Sequence, residues 1–64
     1  MSDLERLTAQ IGEDAQRIVQ LTAAASASAQ SGDRQTVSND LRQLRAAVSI
    51  FTIDIAAVYR EATR

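Results

Sequence analysis

The sequence predicts an all-α fold: an antiparallel two-helix hairpin that assembles into a homo-oligomeric helical bundle. Apolar residues recur at alternating steps of three and four in both halves of the chain, which is typical of helices that pack along a seam. The midpoint carries a glycine turn signal, and 64 residues are too few to bury a large core alone. We expect one domain over residues 1–64, with a helix over about 3–31, a turn at 31–33 and a helix over about 34–63.

Capping signals define the predicted helix ends. Ser2 and Glu5 have the spacing of a capping box at the start of the first helix. Ser31-Gly32-Asp33 places Gly just past one helix and Asp just before the next, as in a C-cap followed by an N-cap. Arg60 and Arg64 suit the negative end of the dipole of the second helix.

The apolar seam of each helix is the predicted core of the hairpin. Asp14 interrupts the first seam and is expected to lie opposite Phe51. It could pair with Arg17 or reach solvent, fix the register as a single buried polar residue, or belong to a ligand or partner site. The predicted core residues are Leu7, Ile11, Ile18, Leu21, Leu41, Leu44, Val48, Phe51, Ile55 and Val58.

A second apolar stripe on helix two, away from the seam, predicts assembly. A hairpin buries only one side of each helix, so this stripe needs another partner. With no Cys and no His, the chain has neither disulfides nor the usual metal ligands, and oligomerisation remains as the way to stabilise it. Gly12 lies in a column of small residues on helix one that could receive the stripe of another subunit, or it is neutral drift. The predicted interface residues are Gly12, Ala15, Val19, Ala46, Ile50, Ile53 and Ala57.

The simplest such assembly is a homodimer that forms a four-helix bundle, although trimers or hexamers of hairpins also fit the pattern.

The composition disfavours several functions. Seven Arg against eight acidic residues give no basic excess, and one Phe and one Tyr offer little base stacking, so nucleic-acid binding is not expected. Without His, Cys or a phosphate-binding loop, we expect no catalytic, cofactor or metal site. No apolar run approaches the roughly 20 residues of a membrane span, and no signal segment precedes the first helix, so we expect a soluble cytoplasmic protein.

Arg34, Arg42 and Arg45 form the predicted anion- or partner-binding group in the first half of helix two. Asp40 could instead balance them on a solvated face. Tyr59 is either an edge residue or a partner-binding anchor. We therefore expect a non-catalytic binding or regulatory protein that engages another macromolecule, such as a protein, through its helix faces. The alternatives are an oligomeric binder of a small anionic ligand, such as a nucleotide, and a structural assembly subunit.

Overall fold

A computed structural model describes residues 2–64 as two helices, α1 (Asp3–Gln30) and α2 (Arg34–Ala62), which pack against each other as a hairpin. The described residues contain no strand. Met1, the first residue of the predicted domain, lies outside them. The hairpin measures 48 × 16 × 12 Å and is one helix thick. The predicted two-helix fold is confirmed, and its helix bounds agree with the structure to within one residue.

Each helix begins at a side-chain N-cap. The Ser2 hydroxyl accepts a hydrogen bond from the backbone N–H of Glu5 at 3.2 Å. Asp33 accepts two, from the backbone N–H of Thr36 at 3.1 Å and from the Thr36 hydroxyl at 2.6 Å. These bonds satisfy N–H groups that have no partner within the first turn of a helix, so both starting points are specified locally.

The turn between the helices is a Schellman motif. Asp33 N–H donates to the Ser28 carbonyl and Gly32 N–H donates to the Ala29 carbonyl, each at 3.2 Å. Gly32 adopts φ +76°, a left-handed conformation that glycine reaches without the steric cost of a Cβ. The sequence therefore terminates α1 and starts α2 within three residues.

The register of the hairpin differs from the expected one. Ser28 donates a hydrogen bond to Asp40 across the helices at 2.9 Å, and Asp14 meets Asp54 nearer the open end. In both pairs the two residue numbers average 34, whereas in the expected pairing they averaged about one less. As a result Asp14 lies against Asp54 and not opposite Phe51.

The shift also changes which side of α2 faces α1. The line of half-buried or buried residues toward α1 is Asp40, Ala47, Asp54 and Glu61. The first three are each one position before a residue expected in the core, and one position rotates a side chain by about 100° around a helix. Leu41, Val48 and Ile55 consequently lie outside the hairpin seam, with 51%, 43% and 43% of their surface exposed.

The hairpin seam itself is shallow. Within residues 2–64 only two side chains are buried, Ala25 of α1 and Ala47 of α2. The remaining members of the predicted core are half-buried: Leu7, Ile11, Ile18, Leu21, Leu44, Phe51 and Val58. One hairpin therefore leaves most of its large apolar side chains in partial contact with water.

Candidate assembly surfaces and the Asp14–Asp54 pair

Asp14 of α1 and Asp54 of α2 form a carboxyl pair inside the seam. Both residues are half-buried, and the Oδ2 atom of each is buried without a hydrogen-bond partner. The described residues provide no third acidic side chain that would join them in a metal-binding group. Two acceptors that face each other in this way require a donor between them, and a single proton would supply it.

The surroundings of the pair favour the protonated form. The hydrogen bond that a protonated Asp14 can donate to Asp54 raises the pKa of Asp14, and burial together with the negative charges of Asp54 and Glu13 raises it further. The ion pair between Asp14 and Arg17, one of the alternatives considered for Asp14, does not form: the ion pairs among residues 2–64 are Arg6–Asp3 and Arg64–Glu61.

Leu41, Val48 and Ile55 form an apolar line along α2, which we call the α2 ridge. They follow one another at seven-residue intervals, so they project from the same side of the helix. Each comes one position after a seam residue of α2. The ridge therefore flanks the contact between the helices along its whole length.

The same side of the hairpin carries a line of small residues from α1. When two right-handed helices run antiparallel, the residue that follows a seam residue on one helix lies on the same side of the hairpin as the residue that follows the opposite seam residue on the other helix. The structure shows this at the turn, where a shallow groove of about 500 Å³ is lined by both Ala29 of α1 and Leu41 of α2. We call this side the ridge face. Its α1 line comprises Thr8, Ala15, Thr22 and Ala29.

The column of small residues on α1 borders the ridge face. Ala15 is half-buried in the line itself, whereas Gly12 and Val19 lie further out and are exposed. A Cβ added at Gly12 would meet nothing within 4 Å, and 67% of Val19 is exposed. In the hairpin alone this part of the predicted interface is open to a neighbour.

The other part of the predicted interface lies on the opposite side of the seam. Ile50 and Ala57 directly precede the seam residues Phe51 and Val58, and Ile53 is further out, with 67% of its surface exposed. Ala46 is exposed as well. The hairpin therefore separates the predicted interface into two groups, one on each face, which a single flat neighbour cannot cover together.

The three Arg residues of the predicted anion site are exposed on α2. Arg42 and Arg45 are one turn apart, and Arg34 precedes Arg42 by about 12 Å along the helix axis. None of them is ion-paired within residues 2–64, because Asp40 is turned into the seam toward Ser28. Tyr59 is also exposed.

Asp54 and the α2 ridge are the features that sequence reasoning missed. Sequence reasoning assigned no role to Asp54, and it placed the ridge residues in the core of the hairpin. The available signal was the line Asp40, Ala47, Asp54 and Glu61, which repeats every seven residues just as the ridge does. Two neighbouring lines with the same period cannot both face α1.

Comparison of the chain with protein-family models, curated proteins and solved structures finds no match. Neither of the two described helices combines the length and the apolar character that crossing a bilayer requires.

Proposed function

We propose that this chain is a non-catalytic protein that works as a homo-oligomeric helical bundle and engages another macromolecule through the helix faces left outside the bundle. One observation carries this proposal. Within residues 2–64 the hairpin buries no large side chain, yet it exposes Leu4, Val19, Leu41, Val48, Ile50, Ile53, Ile55 and Tyr59 to a large extent.

The energetic argument favours assembly over a lone hairpin. Burying a Val, Leu or Ile side chain stabilises a protein by roughly 1.5–3 kcal/mol. Whole domains are stable by only about 5–15 kcal/mol, so seven such exposed side chains are a large part of what this chain could gain. A second subunit supplies that burial without adding any residue to the chain.

Sedimentation velocity at micromolar concentration tests the proposal. We expect a closed oligomer, a dimer in the simplest case, with a melting temperature that rises with protein concentration because subunits associate as they fold. A well-folded monomer with a concentration-independent melting temperature would contradict the proposal. Continued growth with concentration, without a closed species, would instead support a structural assembly subunit.

A second candidate function, binding of a small anion such as a nucleotide, is favoured by the unpaired state of Arg34, Arg42 and Arg45 within residues 2–64. Guanidinium groups without a carboxylate partner can bind phosphate through paired hydrogen bonds. Titration of ATP by calorimetry should show binding that the double variant Arg42→Gln/Arg45→Gln loses.

The matched control for that titration is Arg6→Gln/Arg64→Gln, which removes the same charge from residues already paired with Asp3 and Glu61. Binding that weakens equally in both variants would indicate a general charge effect and not a site. No detectable binding to the parent would exclude ATP as the ligand.

A further inference from the structure

We propose that a second copy of this chain docks on the ridge face. The α2 ridge of each copy then packs against the α1 column of the other, which consists of Gly12, Ala15 and Val19. The two copies are related by a two-fold axis parallel to the helices, with both turns at the same end. This inference rests on the proposed homo-oligomer and specifies its interface. It differs from the arrangement expected from the sequence, in which Ile50 and Ile53 pack on Gly12.

The exposed area of the hairpin fits one additional partner of its own size. The accessible surface is 4931 Å². A compact monomer of 6.9 kDa would expose about 4000 Å², so the excess is about 900 Å² per chain. A standard stable interface buries about 800 Å² on each partner. A second copy that covers one face of the hairpin would therefore bury about as much surface as the hairpin exposes in excess of a compact monomer.

Charge decides between the two faces. From residue 8 to residue 29 on α1 and from residue 41 to residue 62 on α2, no position directly lining the ridge face carries a charge. Arg34 lies beyond this stretch, where it lines the groove at the turn. On the opposite face Arg17 lies level with Ile50, and the polar Gln10 and Gln43 lie about 10–12 Å from it along the helix axis. Covering that face would bury a guanidinium and two amides, which is costly unless each finds a partner.

The ridge and the column lie at matching heights along the hairpin. Since the cross-helix pairs Asp14–Asp54 and Ser28–Asp40 are centred on residue 34, Ile55 is level with residue 13 and Val48 with residue 20. Rotation about a two-fold axis parallel to the helices does not change the position of a residue along that axis. It places Ile55 beside Gly12 and Ala15 of the second copy, and Val48 beside its Val19.

At Ile55 a large side chain thus meets the small Gly12 and Ala15, and the two-fold axis repeats this contact in the other half of the interface. Interdigitation of this kind lets helices pack at interior density, and the two-fold axis forms the ridge-to-column contact twice. The open space at Gly12, where a Cβ would meet nothing within 4 Å of the same hairpin, is the space that Ile55 of the second copy fills. Ile53 cannot reach it, because it projects from the other face.

Single-cysteine crosslinking tests this arrangement, because the chain has no Cys of its own. Full-length Gly12→Cys and Ile55→Cys chains are unfolded together, refolded as a mixture and oxidised, and covalent dimers are counted on a denaturing gel. Disulfides require the two Cα atoms to lie within about 7 Å. We expect crosslinking to approach half of all dimers, the share in which the two variants have paired, and little crosslinking in either variant alone.

Two further crosslinking controls decide the interpretation. A mixture of Gly12→Cys with Ile53→Cys should not crosslink, and Val48→Cys alone should not either, because the axis keeps the two ridges apart. If either of these crosslinks, or the first mixture does not, while the parent sediments as an oligomer, the ridge-face interface is overturned and the proposed homo-oligomer stands. If the parent sediments as a folded monomer, both proposals fail.

Discussion

The carboxyl groups of Asp14 and Asp54 face each other across the seam, and each leaves its Oδ2 atom buried without a hydrogen-bond partner. The hydrogen bond that a protonated Asp14 can donate to Asp54, together with burial, raises the pKa of Asp14 above its ordinary value of 3.8. The folded chain therefore holds a proton at this pair more tightly than the unfolded chain does. Proton binding and folding are linked through these two residues.

Acidification from neutral pH should stabilise the protein through this pair. Because the pKa of Asp14 is raised on folding, its contribution to stability is complete below the unfolded value of about 3.8 and is lost as pH rises through the raised folded value. Circular dichroism melts should give a higher melting temperature at mildly acidic pH than at neutral pH. A melting temperature that falls steadily from neutral pH downward would contradict this.

The variant Asp54→Asn should raise the melting temperature at neutral pH and remove most of the acid stabilisation. Its amide can donate to Asp14 without any added proton, and the repulsion between two carboxylates disappears. The control is Asp3→Asn, which lies on the surface beside Arg6 and should keep the acid response of the parent. Equal responses in the two variants would exclude the pair as the source.

Asp33 should act in the opposite direction at lower pH. Hydrogen bonds from the hydroxyl and the backbone N–H of Thr36 lower the pKa of Asp33. Its contribution is therefore present above about 3.8 and is lost as pH falls through the lowered folded value. Asp33→Ala should lower the melting temperature at neutral pH, and this difference from the parent should shrink in strong acid. A difference that is constant with pH would mean that the cap acts without its charge.

Gly32→Ala should destabilise the turn. A Cβ in the left-handed conformation at φ +76° costs about 1–2 kcal/mol, which urea denaturation resolves. Gly32→Asn is the matched control, because Asn tolerates this conformation better and should cost less. Equal losses for both variants would place the effect outside the backbone conformation.

Gly12→Leu should weaken association if this position faces a second copy. Overpacking of a tight contact typically costs about 1–3 kcal/mol, here once per subunit, and sedimentation should show a lower oligomeric state. Ala9→Leu adds the same side chain at an exposed position on the outer side of α1 and should leave association unchanged. A Gly12→Leu protein that sediments like the parent would show that the position is not in an interface.

The helix ends could be predicted from sequence because they depend on neighbouring residues alone. Ser2 with Glu5, and Asp33 with Thr36, satisfy the first N–H groups of each helix within three residues of chain. α1 ends at Gly32, where the N–H groups of Gly32 and Asp33 donate to the carbonyls of Ala29 and Ser28, and these bonds also span only a few residues. These features need no knowledge of how the helices pack.

The rotation of α2 about its own axis could not be predicted in the same way. α2 is apolar around more than half of its circumference, so both the line through Ala47 and the line through Val48 could face α1. The choice depends on how closely the helices approach at Ala25 and Ala47, which is a tertiary property. A sequence pattern shows which residues are apolar. It does not show that Asp54 can lie in the seam because Asp14 lies opposite it.

The tight turn at Gly32 also affects the kinetics of folding. Contacts near the turn, such as Ser28–Asp40, close a loop of only about a dozen residues, which costs little chain entropy and favours closure from the turn outward. Asp14 and Asp54 are joined by a much longer segment and should meet late. Interactions that form after the transition state change the unfolding rate more than the folding rate. We therefore expect a proton at this pair to govern how fast the hairpin opens and to have little effect on how fast it forms.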